Sequence, residues 1–151
     1  GEQAIAASRC RHLILRTCWV YAPRGKNFLL TILKAARERP ELKVVDDQSG
    51  APTSSAAIAA ATRQAIEKRG REGLYHLSAA GRTTWHGFAQ AIVHAAGLAT
   101  PVKAIPTSEY PTPARRPRNS VLDNSKLKKD FGIALPEWRD GMHDVLAQVL
   151  R

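Results

Sequence analysis

The sequence predicts an α/β fold built on a largely parallel sheet, and three observations carry that prediction. Short β-rich apolar runs at residues 12–20, 42–45 and 73–78 alternate with longer stretches whose apolar residues recur at helical spacing. Glycine, proline and small polar residues punctuate nearly every junction between them. The 151 residues, 44% hydrophobic and 24% charged, suffice for one domain with its own core.

Residues 1–11 read as the end of a helix with no capping residue before it. Residues 12–20 (HLILRTCWV) are nearly continuous in apolar character, as in a strand buried on both faces. Residues 21–26 hold Pro23 and Gly25 and form a loop. Asn27 caps a helix from Phe28 to about Arg39, with Phe28, Leu29, Ile32, Leu33 and Ala36 on one face. Pro40 stops it, and residues 42–45 form the second strand.

The polar stretch 46–54 (DDQSGAPTS) follows where that strand releases the chain. Gly50 and Pro52 shape it, and Ser54 or Ser55 caps the next helix. Open α/β sheets bind ligands at such places; the simpler alternative is a capped turn. A helix from Ala56 to about Arg69 comes next, with Ile58, Ala61, Thr62, Ala65 and Ile66 inward, ended by Gly70 and Gly73. Residues 73–78 are the third strand, and Thr83 or Thr84 caps a helix over 85–96 that buries Phe88, Ala91, Ile92 and Ala95.

Residues 102–106 are briefly extended. The prolines at 106, 111, 113 and 117 exclude regular structure over 107–118, which reads as an ordered loop or covering arm. Val121 and Leu122 suggest a two-residue strand. Asp123 or Asn124 caps a helix over 125–131, and a last helix occupies 140–150. Three short strands make a poor parallel sheet alone. Part of the fold is therefore expected to lie outside the chain, leaving an apolar edge exposed.

Charge and composition narrow the function. The net charge of +10 invites a nucleic-acid reading. The basic residues are scattered, however, and no aromatic-rich basic motif is present, so no nucleic-acid partner is expected. No apolar run could span a bilayer, no signal peptide is visible, and no membrane partner is expected. Cys10 and Cys18 make no disulfide framework, which points to a reduced, cytoplasmic setting. The five histidines show no pair at metal-ligand spacing, so no metal site is expected. Asp46 and Asp47 are adjacent and would point to opposite faces of a strand, a weak basis for a catalytic pair.

Two features stand out. Arg115, Arg116 and Arg118 sit on a proline-stiffened arm, and a guanidinium fork suits phosphate oxygens; the alternative is a solvent-facing basic loop. Trp19 lies at the end of an apolar run beside a Gly/Pro loop, where an indole can stack on a sugar or base; the alternative is core packing.

The segments Arg16-Thr17-Cys18-Trp19-Val20-Tyr21, Gly25-Lys26-Asn27-Phe28 and Val44-Val45-Asp46-Asp47-Gln48-Ser49-Gly50-Ala51-Pro52-Thr53 together form a recognisable series. Tyr110-Pro111-Thr112-Pro113-Ala114, Arg116-Pro117, Asn119-Ser120, Leu122 and Ser125-Lys126-Leu127 continue it in order. The series resembles the C-terminal part of the dTDP-4-dehydrorhamnose reductase family, which are extended short-chain dehydrogenase/reductases. The resemblance implies a partial Rossmann-like fold: the remaining parallel strands plus the helical substrate-binding lobe, across residues 1–151. It implies that the cofactor half, with its Gly-rich loop and Tyr-x-x-x-Lys pair, precedes Gly1. Tyr21, Tyr75 and Tyr110 have no lysine four residues on, so no catalytic residue is assigned and the fragment is expected to be inactive alone.

What the resemblance implies for the whole enzyme is hydride transfer from NADPH or NADH to the C4 keto group of dTDP-4-dehydro-L-rhamnose. The fragment itself is expected to hold that cofactor poorly. By family analogy Trp19 lies against the deoxysugar and Arg116 meets the pyrophosphate. Asn27 and Gln48 line the substrate pocket, and Thr17 and Cys18 approach the nicotinamide. A homodimer is compatible with the resemblance. Cys18 stands where the family usually has Ser, and Arg118 where it usually has a small residue. An alternative within the resemblance is a non-catalytic sugar-nucleotide or NADP-binding subunit, like the regulatory subunit of methionine adenosyltransferase.

Overall fold

A computed structural model describes residues 1–68, 71–110, 113–114 and 116–151. The chain opens with α1 (Glu2–Ala7), turns through Arg9, and enters β1 (Leu13–Arg16). The apolar run 12–20 is not one strand. Trp19 adopts φ +48°, a left-handed conformation that interrupts extended backbone. The chain then resumes as β2 (Val20–Tyr21). Nor is β1 buried on both faces: three of its residues are partly buried and Arg16 is exposed. Among the described residues it pairs with a single strand, β6.

After β2 come α2 (Phe28–Glu38), β3 (Leu42–Val45), β4 (Ser49–Gly50), β5 (Thr53–Ser54) and α3 (Ser55–Glu67). Then follow β6 (Gly73–His76), β7 (Thr83–Thr84), α4 (Trp85–Ala95), β8 (Val102–Ile105), a 3₁₀ turn at Thr107–Glu109, α5 (Ser125–Phe131) and α6 (Trp138–Val149). The parallel expectation holds for β1 with β6, β2 with β5, and β3 with β8. The β4–β7 pair is antiparallel. These are separate two-stranded ladders among the described residues, so the helices packed on them unite the fold.

Caps fix where each helix starts. Asn27 Oδ1 accepts the Leu30 N–H at 3.2 Å, Ser54 Oγ the Ala57 N–H at 3.2 Å, and Thr84 Oγ1 the Gly87 N–H at 3.0 Å. Ahead of α5, Asp123 Oδ1 accepts the Ser125 N–H at 2.9 Å. The neighbouring Asn124 instead mimics a strand: its Oδ1 accepts from Ser78 N and its Nδ2 donates to the Ser78 carbonyl. Gly132, at φ +63°, closes α5 in the left-handed conformation that glycine tolerates. Helix α6 begins two residues earlier than the sequence suggests. The Trp138 N–H donates to the Ala80 carbonyl at 3.1 Å, and its indole, 1% exposed, meets Phe88 edge-on.

Two apolar clusters form. The larger joins Leu29, Ile32 and Leu33 of α2, Phe88 and Ile92 of α4, and Trp138, Met142 and Leu146 of α6 over Leu42 and Val44. The smaller joins Ala61 and Ala65 of α3 to Tyr75, Leu77, Leu127 and Phe131. Ile66, expected inward, is 66% exposed. Ala61 and Ala65 are four apart and define the buried stripe of α3; Ile66 is one step further round the helix. The two-residue strand at Val121 and Leu122 does not form. Pairing there falls on Asn119, which bridges Ser49. No helix among the described residues is long and apolar enough to cross a membrane.

Candidate functional site

The left-handed turn at Trp19 carries its indole onto Gly50. A Cβ at position 50 would lie 2.4 Å from the ring, so only glycine lets the two approach. The β4–β7 ladder sets Ser49 and Gly50 beside Thr84 and Thr83, and the next residue, Trp85, opens α4. That places Trp85 against Trp19: the rings stack with centroids 3.6 Å apart and planes 10° from parallel. Phe28, the first residue of α2, backs Trp85 at 4.5 Å.

The polar side chains of 46–48 point to different partners. Asp46 accepts a hydrogen bond from the Thr84 hydroxyl and lies 3.5 Å from His86 Nδ1. Asp47 Oδ1 accepts from both the backbone N–H and the hydroxyl of Thr107. Those bonds, the hydroxyl first, hold its carboxyl below the usual carboxylate range. Gln48 is 6% exposed; its Oε1 accepts the Trp85 indole N–H and its Nε2 donates to the Thr107 hydroxyl. The two carboxylates thus brace separate elements and do not converge.

The arm is brought in by backbone pairing. The Ser49 N–H donates to the Arg118 carbonyl and the Ser120 N–H to the Ser49 carbonyl, both at 2.8 Å. The result is a pocket of about 260 Å³ lined by Cys18, Trp19, Gln48, Trp85, Arg116, Pro117 and Ser120. Among the described residues, its wall offers two indoles and its rim the Arg116 guanidinium. Cys18 Sγ donates to the Ala51 carbonyl at 3.4 Å, and burial pushes the thiol's pKa up, which favours its protonated form. Such a site suits a ring bearing an anionic group; among the described residues, its lining holds no paired nucleophile and base.

Four residues singled out in the sequence, Cys18, Trp19, Gln48 and Arg116, line this pocket together. Thr17 is exposed beside it, and Asn27 is not in its lining. The Asn27 side chain caps α2 and donates to the Ala22 carbonyl at 2.9 Å, closing the 22–27 loop. Arg115 lies outside the described residues, as do Pro111 and Thr112. Sequence reasoning missed Trp85, Pro117 and Ser120. An aromatic at the head of an amphipathic helix reads as core, and only its place beside the capping Thr84 hinted otherwise. A larger hollow of about 420 Å³, bordered by residues of α4 and α6 such as His94, Arg139 and His143, collects none of the predicted residues and no aromatic side chain. Among the described residues, no three His, Cys, Asp or Glu side chains are placed to hold a metal ion.

A family model described as the RmlD substrate binding domain matches residues 1–151. The dTDP-4-dehydrorhamnose reductase of Burkholderia thailandensis is 51% identical over 155 residues, covering 92% of this chain and 52% of that protein. The enzyme of the same name from Escherichia coli K12 is 43% identical over 159 residues, covering 99% of this chain and 53% of its own length. Among solved structures, the dTDP-4-dehydrorhamnose reductase of Bacillus anthracis in complex with NADP superposes with a TM-score of 0.93 at 30% identity. That match covers 97% of this chain and 52% of that one. The chain therefore spans about half the length of the curated relatives it matches.

Proposed function

Because the chain belongs to the RmlD substrate binding domain family, we propose that it is the substrate-binding part of an NADPH- or NADH-dependent dTDP-4-dehydrorhamnose reductase. The observation that carries this reading is the convergence of Trp19, Trp85, Gln48 and Arg116 on one pocket. In this reading the indole wall receives the deoxysugar of dTDP-4-dehydro-L-rhamnose. Arg116, exposed at the rim, meets the pyrophosphate with its guanidinium fork. Gln48 shapes the floor. Asn27 supports the pocket from behind by ordering the loop before α2.

The dinucleotide would supply hydride to the C4 keto group. The residues of this chain do not fit it as a complete holder. No Gly-rich phosphate loop is present, and Cys18 turns its thiol to the Ala51 carbonyl. In this reading Thr17, exposed just after β1, would approach the nicotinamide end, as the family resemblance implies. No Tyr-x-x-x-Lys pair is present in the sequence, and Tyr21 is buried away from the pocket lining, so in this reading the proton donor for the reduction comes from outside this chain. The relatives give no support to a regulatory-subunit reading, since those quoted above carry the reductase name.

Calorimetric titration of the chain with dTDP tests the proposal. Binding is expected, weakened about tenfold or more in Arg116→Ala, as for loss of a charge-assisted hydrogen bond. Equal affinity in parent and variant would overturn the role of Arg116. Absence of binding by a folded parent would overturn the pocket reading for this chain.

A further inference from the structure

Gln48 uses both ends of its amide within the protein, and the partners dictate its orientation. The Trp85 indole N–H can only donate, so Gln48 turns Oε1 toward it, at 3.2 Å. Nε2 is then left to donate to Thr107 Oγ1 at 3.0 Å. The Thr107 hydroxyl gives its own hydrogen to Asp47 Oδ1, and an ionised carboxylate only accepts. A donor-only indole at one end and an acceptor-only carboxylate at the other leave a single direction for every hydrogen in the series. Gln48 is 6% exposed, so rotating its amide would strand a buried polar group.

The series ends on the stacked indoles. Trp85 is held by its N–H to Gln48 and by Phe28 at its side, and Trp19 is held between Trp85 and the bare backbone of Gly50. From this geometry we infer that Asp47, Thr107, Gln48 and Trp85 are positioning residues that fix the plane of Trp19 and thereby set the pocket's discrimination for the sugar ring. The inference rests on the sugar-nucleotide reading of the pocket. About 260 Å³ accommodates little beyond one ring, so a tilted indole changes the fit of the sugar and leaves the phosphate contact at Arg116 untouched.

The test has two readouts. Two indoles 3.6 Å apart and nearly parallel couple excitonically, and the couplet in far-ultraviolet circular dichroism reports their geometry without any ligand. Trp85→Phe identifies the couplet by abolishing it. Thr107→Val breaks the series at a partly buried turn residue and leaves Gln48 Nε2 without its acceptor; the couplet should weaken and the melting temperature fall modestly, and Thr107→Ser should restore both. In the same variants, affinity for dTDP-L-rhamnose should fall about tenfold in Thr107→Val and recover in Thr107→Ser, while affinity for dTDP stays constant. An unchanged couplet in Thr107→Val, or equal losses for dTDP and dTDP-L-rhamnose, would overturn the inference. If the parent binds neither nucleotide, the pocket reading fails separately, and the couplet alone decides for or against the positioning series.

Discussion

Six of the seven residues from Gln48 to Ser54 are buried, whereas Arg116 and Pro117, across the same pocket, are exposed. In the first region nearly every polar group has a partner inside the protein. Thr53, 0% exposed, donates to the Ala51 carbonyl and accepts from the Ala79 N–H; Ser54 caps α3; Gln48 joins Trp85 to Thr107. In the second region a proline-flanked guanidinium stays in water, with its charge available to a ligand. The difference separates shape from charge. A wall that must hold a ring in one orientation is built from groups that cannot move without leaving a buried polar atom unpaired. A rim that only meets a diffuse negative charge needs reach and solvation.

Breaking the wall should therefore cost stability, and breaking the rim should not. The largest effect is expected for Gly50→Ala. Its new Cβ would lie 2.4 Å from an indole already locked against Trp85, so overpacking should cost up to about 3 kcal/mol in urea unfolding. Thr53→Val follows, leaving the buried Ala79 N–H without an acceptor; a loss of about 1–2 kcal/mol is expected in the same assay.

Tyr21 sharpens the comparison from the other side, since its buried hydroxyl has no partner among the described residues. Tyr21→Phe should be neutral or slightly stabilising at neutral pH. Burial foremost, with Asp144 nearby, raises the pKa of this phenol in the folded chain. Its contribution is intact below the unfolded tyrosine value of about 10 and is lost as pH rises beyond it. Stability of the parent should thus fall more steeply above that pH than stability of Tyr21→Phe, in parallel urea titrations. The smallest effect is expected at the rim: Arg116→Ala should change unfolding free energy by less than about 0.5 kcal/mol while weakening dTDP binding.

Much of the fold was legible locally. The helices over 28–38, 55–67, 85–95 and 125–131 lie within a residue or two of their expected spans, because caps and apolar spacing are properties of neighbouring residues. The strand over 12–20 was misjudged because apolar character does not encode the left-handed backbone at Trp19, which contact with Gly50 requires. Val121 and Leu122 failed as a strand because the available partner, Ser49, is met by Asn119. In the site, Trp19, Gln48 and Arg116 were singled out by residue type and family resemblance. Trp85 was not, because its role depends on a ladder between segments more than thirty residues apart.

The sequence by itself determined the alternation of strands and helices, the caps that start the helices, and the basic arm near the C-terminus. These follow from short-range sterics and hydrogen bonding, which act within a few residues. It also determined the absence of a Tyr-x-x-x-Lys pair between residues 1 and 151. Only the tertiary structure decided that the indoles of Trp19 and Trp85 stack, that Gln48 faces one way, and that Asp46 and Asp47 serve different elements. Each of these depends on groups distant in sequence meeting in space. The stacked indoles and Gln48 meet where the packing is too tight to admit a methyl group at Gly50 and a buried amide must find its partners. The two carboxylates are placed where Thr84 and Thr107 come within hydrogen-bond reach.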